Sequence, residues 1–177
     1  MRKLIILLDL WGNKKSDWVV NYSVILQTYF EIEFYDCCEL GQIDLTDYSE
    51  DKLHLQFING GIDRAIETLL EKEKGIVNVL GFSIGGYIAW RASNEGLLIK
   101  NLTAISSTKL RYESIRPECT VQLLYGENDK YIPKNDWFSR IGLDKEIYKG
   151  EEHDFYTKRE IAIDISNEII RKRKPNR

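Results

Sequence analysis

Short apolar runs and amphipathic stretches alternate along the chain of 177 residues. The apolar runs are short and continuous, which is typical of strands covered on both faces of a sheet. The pattern predicts six strands, at residues 3–8, 31–35, 76–80, 102–105, 121–125 and, more weakly, 146–148.

Between these runs, apolar residues recur at helical spacing and form stripes along one side of each helix. The first predicted helix starts near Ser16 and Asp17, and the next two end near Gly75 and Gly96. The stripes consist of Trp18, Tyr22, Ile25, Leu26 and Tyr29; Ile62, Ala65, Ile66, Leu69 and Leu70; Ile84, Ile88, Ala89 and Ala92; and Ile161, Ile165 and Ile169. The polar segment 39–50 shows no usable period. Strands that alternate with helices predict an α/β fold: one domain over residues 1–177, a three-layer α/β/α sandwich with a mostly parallel six-stranded sheet.

Composition excludes several classes of protein. The hydrophobic share of 43% and the charged share of 30% are those of an ordinary globular protein. A net charge of −3 favours neither nucleic acid nor an anionic membrane as a partner. The basic tail 171–177 is better explained as a solvated helix end, although such tails sometimes bind nucleic acid.

The cysteines and the N-terminal segment bear on the compartment. Cys37, Cys38 and Cys119 lack zinc-site spacing, and their odd number argues against a disulfide framework, so we expect buried thiols in a reducing compartment. The apolar run at the N-terminus imitates a signal peptide, but it stops at Asp9 with no cleavage site. No stretch is long enough to span a membrane. We therefore expect a cytoplasmic protein.

Three glycines surround one serine directly after the third predicted strand, in Gly81-x-Ser83-x-Gly85 and Gly86. A P-loop would need Lys-Ser/Thr after its glycines, and Gly86 is followed by Tyr87. The serine also interrupts the dinucleotide-binding pattern G-x-G-x-x-G. The remaining explanations are a nucleophile elbow, which needs small neighbours around an exposed serine, and a simple packing turn.

A nucleophilic serine needs a base, and the base needs an orienting carboxylate. Asp129 and His153 follow the fifth and sixth predicted strands, and the carboxyl ends of parallel strands share one edge of the sheet. The order serine, acid, histidine is the one expected of this fold. His54 is the competing base and Glu127 the competing acid. Asp129 could instead cap a helix near Pro133.

The motifs "GFSIGG", "LLYGENDKYIP" and "GEEHDF", in this order and spacing, resemble the α/β-hydrolase superfamily, and "LLDLWG" resembles its oxyanion loop. The resemblance runs from Leu4 to the last helix. It implies a catalytic triad of Ser83, Asp129 and His153, an oxyanion hole of the Ile84 and Trp11 backbone amides, and no metal or organic cofactor.

The sequence departs from the superfamily pattern at three points. Asp9 and Leu10 stand where His-Gly is usual, so a carboxylate lies near the oxyanion loop. We expect Asp9 to bond backbone two residues on and to leave the Trp11 N–H free. The resemblance begins at the superfamily's third strand, which implies six strands. Only residues 109–120 separate the fourth and fifth strands, so we expect an open, shallow site without a lid.

These features predict a serine hydrolase that cleaves a small carboxylic ester or thioester through an acyl-enzyme. The expected partner is a small-molecule acyl substrate; neither nucleic acid nor a membrane is expected, and the sequence leaves the oligomeric state open. Candidate substrate-binding residues are Leu10, Phe82, Lys109, Tyr131 and Phe155. The aromatic ones could equally belong to the core, and Lys109 could simply point to water. The alternative is a binding or scaffolding protein on the same fold with little or no turnover.

Overall fold

The six apolar runs form the six strands of one sheet in the computed structural model, which describes residues 1–173. The strands are β1 (Arg2–Leu7), β2 (Phe30–Tyr35), β3 (Val77–Phe82), β4 (Ile99–Ile105), β5 (Thr120–Gly126) and β6 (Glu146–Tyr148). Their spatial order is β2-β1-β3-β4-β5-β6, and every neighbouring pair is parallel. The predicted α/β/α architecture is confirmed, with a sheet that is parallel throughout.

Within residues 1–173, seven α-helices cover the two faces of this sheet. They are α1 (Val20–Leu26), α2 (Cys37–Leu40), α3 (Glu50–Gln56), α4 (Ile62–Lys72), α5 (Ile84–Asn94), α6 (Asn135–Ile141) and α7 (Arg159–Arg173). Successive β1 side chains point to opposite faces: Ile5 joins the core under α4, α5 and α6, whereas Ile6 joins the core under α1 and α7. Two buried layers explain why the strands read as continuous apolar runs.

The segment between β2 and α4 contains structure that the sequence pattern did not predict. The Asp36 carboxylate accepts a hydrogen bond from the Cys38 amide at 2.7 Å and caps α2. α3 follows, and a π-turn (Phe57–Gly61) joins it to α4, with Gly60 at φ 107°. These helices have four and seven residues, which is too short to show a clear helical period.

Some predicted boundaries shift. The chain forms a 3₁₀ turn at Asp17–Val19 before α1 begins, and α4 ends at Lys72, three residues ahead of Gly75. α7 includes Lys172, whose ammonium group pairs with Glu146 at 3.0 Å, so this part of the predicted basic tail is tied to the protein. Residues 174–177 of that tail lie outside the described part of the chain.

The strand order determines what surrounds the turn after β3. Because β3 lies between β1 and β4, the loops that follow those two strands flank Ser83 on its two sides. The connection from β4 to β5 holds only a 3₁₀ turn at Thr108–Tyr112, which agrees with the expected absence of a lid there. Within residues 1–173, no helix has both the length and the apolar character needed to cross a membrane.

Candidate active site

Ser83 is the single residue between the end of β3 and the start of α5, and its backbone is strained. Its φ of 50° and ψ of −114° lie outside the regions that L-residues prefer. A Cβ atom on Gly81 would lie 2.6 Å from the Gly86 Cα, and one on Gly85 would lie 2.5 Å from the Leu7 carbonyl oxygen. The glycines are therefore required by the close approach of α5 to β3 and β1.

The structure brings Ser83, His153 and Asp129 into one hydrogen-bonded chain. The Ser83 Oγ lies 3.1 Å from His153 Nε2, and His153 Nδ1 lies 2.6 Å from Asp129 Oδ2. The other carboxylate oxygen of Asp129 accepts the Tyr131 amide at 3.0 Å. The Asp129 side chain is 1% exposed and that of His153 is 41% exposed, so the acid is buried while the imidazole reaches solvent.

Two serines after β4 support this hydrogen-bonded chain, and neither was predicted from the sequence to have a role. The Ser106 hydroxyl donates to the His153 carbonyl at 2.5 Å, and the Ser107 hydroxyl donates to the Ser83 carbonyl at 2.8 Å. Both serines are fully buried. Their place in the sequence could have indicated this role, because they directly follow the strand next to β3 and so lie beside the serine turn.

The competing base and acid take no part in this hydrogen-bonded chain. His54 lies on α3 and makes no hydrogen bond to Ser83 in the described structure; burial, followed by the positive charge of Lys109, lowers the pKa of His54. The Glu127 carboxylate accepts the Gly150 amide at 2.8 Å. α6 begins at Asn135, so Asp129 does not cap it.

Asp9 is buried and makes two hydrogen bonds. One oxygen accepts the Trp11 amide at 3.0 Å and the other accepts the Tyr156 hydroxyl at 2.9 Å. Burial raises the pKa of the Asp9 carboxyl. The expected bond to backbone two residues on is present. The expectation that the Trp11 N–H stays free is wrong, because this is the amide that Asp9 uses.

Two other amides near Ser83 are without an acceptor in the described structure. Ile84 is the first residue of α5, where an amide has no intrahelical acceptor. The Leu10 amide also donates to no described group. Of the two amides implied by the resemblance, Ile84 therefore remains available, whereas Trp11 is held by Asp9.

Two cysteine thiols donate hydrogen bonds to backbone carbonyls of the loop after β1, the candidate oxyanion loop. Cys37 Sγ donates to the Leu8 carbonyl at 2.9 Å and Cys38 Sγ donates to the Leu10 carbonyl at 3.2 Å. Burial raises the pKa of Cys38 to about 12, so this group remains a thiol donor at neutral pH. Both residues are buried and unpaired, as expected from the sequence, whereas Cys119 is half-buried.

The candidate substrate-binding residues divide into two groups. Leu10 and Lys109 are partly exposed and Tyr131 is 64% exposed. Phe82 and Phe155 are fully buried, where Phe82 packs on Trp18 and Tyr22 and Phe155 packs on Tyr148. A side chain with no exposed surface cannot line an open site, so these two aromatics belong to the core. Among residues 1–173, no cluster of three or more His, Cys, Asp or Glu is arranged to hold a metal ion.

Solved structures with the same architecture are known. A protein of Xanthomonas campestris pv. campestris, described as a candidate hydrolase of the alpha/beta superfamily, is 16% identical, with coverage of 97% of this chain and 99% of that one and a TM-score of 0.66. A serine hydrolase without a lid from Xanthomonas campestris is 13% identical, with coverage of 98% and 84% and a TM-score of 0.61. Est1E from Butyrivibrio proteoclasticus, solved with bound ferulic acid, is 12% identical, with coverage of 97% and 89% and a TM-score of 0.67.

These similarities establish that the chain has the α/β-hydrolase fold. One of the similar structures has no lid, as is the case between β4 and β5 of this chain. No family model matches the sequence. No curated protein matches it either.

Proposed function

We propose that the protein is a serine hydrolase that cleaves a small carboxylic ester or thioester through an acyl-enzyme intermediate. The observation that carries this proposal is the continuous chain from Ser83 Oγ through both ring nitrogens of His153 to the buried Asp129 carboxylate. A hydroxyl becomes a useful nucleophile when a neighbouring base accepts its proton and a third group orients that base. The α/β-hydrolase fold of the chain is consistent with this chemistry.

In the proposed reaction, Ser83 Oγ bonds to the substrate carbonyl carbon while its proton passes to His153 Nε2. Collapse of the tetrahedral intermediate breaks the bond to the alcohol oxygen or thiol sulfur, which leaves with the proton from Nε2. Water then attacks the acyl-enzyme with His153 as base, which frees the acid and restores the Ser83 hydroxyl. Asp129 accepts a hydrogen bond from the Nδ1–H of His153 and stabilises the imidazolium that forms in each half-reaction.

The negative oxygen of each intermediate needs donors. We assign the Ile84 amide as one donor, since it lies at the positive end of α5 and has no other described acceptor. The second donor comes from the loop after β1, where the Leu10 amide is unoccupied and the Trp11 amide would first have to leave Asp9.

Labelling with a fluorophosphonate probe tests this proposal, because the probe reports an activated serine without knowledge of the substrate. Peptide mass spectrometry should locate the label on Ser83, and Ser83→Ala should abolish labelling. Ser23→Ala serves as a matched control, because the Ser23 hydroxyl bonds only to its own helix region, at the Val20 carbonyl. Labelling that survives in Ser83→Ala, or that never occurs in folded wild-type protein, would overturn the proposal.

A second candidate function is supported by Asp9. Because its carboxylate holds the Trp11 amide, the protein could retain the serine, histidine and aspartate yet turn substrate over poorly. It would then act as a binding or scaffolding protein. This alternative predicts a labelled Ser83 together with negligible hydrolysis of ester and thioester substrates, whereas the hydrolase proposal predicts both labelling and turnover.

A further inference from the structure

On the loops after β1 and β4, four cationic side chains lie over aromatic rings and form no ion pair within residues 1–173. Two of them belong to the loop after β1. Lys15 Nζ is 3.9 Å from the centroid of the Trp11 ring, and Lys14 Nζ is 4.8 Å from that of Tyr48. The two rings pack edge to face with centroids 5.6 Å apart. Neither lysine takes part in any ion pair found within residues 1–173.

The other two cations follow β4, on the opposite side of Ser83. The Arg111 guanidinium carbon is 4.4 Å from the ring centroid of Tyr112 and 5.6 Å from that of Tyr131, and one guanidinium nitrogen donates to the Thr108 carbonyl at 2.9 Å. Lys109 Nζ lies 5.4 Å from the Tyr112 ring centroid. These two residues also form no ion pair in the described structure.

The rings that hold these cations are connected to the candidate active site. The Tyr131 amide donates to Asp129 at 3.0 Å, and Tyr87, whose ring centroid is 5.8 Å from Lys109 Nζ, donates its amide to the Ser83 carbonyl at 3.4 Å. On the other side, the Trp11 carbonyl accepts the Tyr48 hydroxyl. The cations therefore stand on both flanks of Ser83, where the strand order places the loops after β1 and β4.

The aromatic rings that face these four cations do not neutralise their charge. An aromatic face attracts a cation through the ring quadrupole and adds no negative charge. Glu113 and Asp36 also lie at this edge, but neither forms an ion pair with these cations in the described structure: Glu113 accepts the Tyr87 hydroxyl at 2.7 Å, and Asp36 accepts backbone amides. The protein as a whole carries a net charge of −3, so attraction of an anion to this edge would have to come from these four side chains.

We propose that Lys14, Lys15, Lys109 and Arg111, the cationic rim, select a substrate that carries a carboxylate close to the reacting carbonyl. This inference rests on the proposed hydrolase function and specifies its substrate class. Positively charged side chains beside a site raise the local concentration of negatively charged substrates. Lys109, a candidate substrate-binding residue from the sequence, would therefore contact substrate rather than only water.

Matched esters test the cationic rim. We expect kcat/KM for para-nitrophenyl hydrogen glutarate to exceed that for the neutral para-nitrophenyl pentanoate by about tenfold at low salt. The ratio should fall towards one as added salt shortens the screening length. A second pair, para-acetoxybenzoate against phenyl acetate, places the charge on the leaving group and shows which side of the ester the rim contacts.

A double variant, Lys109→Gln with Arg111→Gln, should remove most of the preference for the anionic ester. Arg2→Gln with Lys100→Gln is the matched control, because it changes the net charge equally at exposed positions near the starts of β1 and β4. A ratio near one for both ester pairs in the wild-type protein would overturn the proposal, as would an equal loss in the control variant.

Binding to Ser83→Ala separates this proposal from the hydrolase proposal. Calorimetry should show that this variant binds para-nitrophenyl hydrogen glutarate more tightly than para-nitrophenyl pentanoate. Selective binding without turnover or labelling in the wild-type protein would support the rim and contradict the hydrolase function. Labelling and turnover with no selective binding would support the hydrolase and contradict the rim.

Discussion

At the scale of single residues, Asp129 and Asp9 are two carboxylates near His153 whose proposed roles differ because their hydrogen-bond partners differ. Asp129 contacts the imidazole directly and is held by the Tyr131 amide. Asp9 contacts the Trp11 amide and the Tyr156 hydroxyl, and burial raises its pKa. The first orients the proposed base, whereas the second occupies a proposed oxyanion donor.

Asp129→Asn should lower kcat by about 10³- to 10⁴-fold, because an amide in place of the carboxylate favours the wrong tautomer of His153. Glu127→Gln is the control, because this exposed carboxylate contacts the Gly150 amide and not the histidine. We expect it to change kcat by no more than about threefold, as surface substitutions rarely exceed 0.5 kcal/mol. Steady-state hydrolysis of a para-nitrophenyl ester measures both, and equal losses would contradict the assignment of the acid.

Asp9→Asn should raise kcat/KM for a neutral ester by about tenfold at pH 7, equivalent to about 1.4 kcal/mol. The amide oxygen can still accept the Trp11 N–H but binds it less strongly than a carboxylate, and a negative charge is removed near the developing oxyanion. The substitution keeps the shape of the side chain. An unchanged or lower kcat/KM would show that Asp9 supports the loop rather than competes for its amide.

At the scale of elements, the turn from β3 to α5 depends on close backbone approach. The three glycines around Ser83 let α5 pack against β3 and the end of β1, and this contact holds the serine in its strained conformation. Ser107 then links this turn to the segment after β4 through the Ser83 carbonyl. The strain is therefore maintained by packing that involves three neighbouring strands.

Gly85→Ala should reduce the free energy of unfolding by about 1–3 kcal/mol, the usual cost of overpacking a close contact. The added Cβ atom would lie 2.5 Å from the Leu7 carbonyl oxygen and 2.6 Å from that of Leu8, and neither backbone group can move freely. Gly75→Ala is the matched control, because a Cβ atom there meets nothing within 4 Å. Urea unfolding measures both variants, and equal stability losses would contradict the close-packing argument.

At the scale of the whole molecule, Asp9 joins segments from opposite ends of the chain. Its bond to the Tyr156 hydroxyl spans 147 positions, and the Tyr22 hydroxyl donates to the Tyr156 carbonyl at 2.8 Å. This buried cluster connects the loop after β1 with the segment that carries His153. Because Asp9 is buried, its ionised form destabilises the folded protein, so the free energy of unfolding should depend on the titration of Asp9.

Asp9→Asn should raise the Tm at pH 7, and the gain should shrink as the pH falls towards 3.8, the ordinary pKa of this carboxyl. Burial raises the folded-state pKa, so the ionised carboxylate destabilises the protein above that pKa and the cost disappears once it is protonated. Asp44→Asn is a control of opposite sign, because hydrogen bonds from Thr46 lower the pKa of Asp44. Asp44→Asn should therefore lower the Tm at pH 7, and this loss relative to the wild-type protein should also shrink as the pH falls. Thermal unfolding across pH 3.5–8 measures both, and a constant gain for Asp9→Asn would contradict the linkage.

The sequence by itself determined the strands, the longer helices and the serine turn. These features arise from burial on both sheet faces and from glycines forced by close packing, and both leave periodic or short-range marks in the chain. Asp129 and His153 could be proposed because each follows a strand, and parallel strands end at one edge. The short helices α2 and α3 escaped prediction because too few residues form their apolar faces.

Only the tertiary structure decided how distant residues meet at that edge. It placed His153 rather than His54 beside Ser83, although 70 positions separate the pair. It also assigned the Trp11 amide to Asp9 and buried Phe82 and Phe155 in the core. Such contacts depend on the order of the strands and on the packing between layers. Local hydrophobic periodicity reports which face of an element is buried and carries no information about the partner it meets.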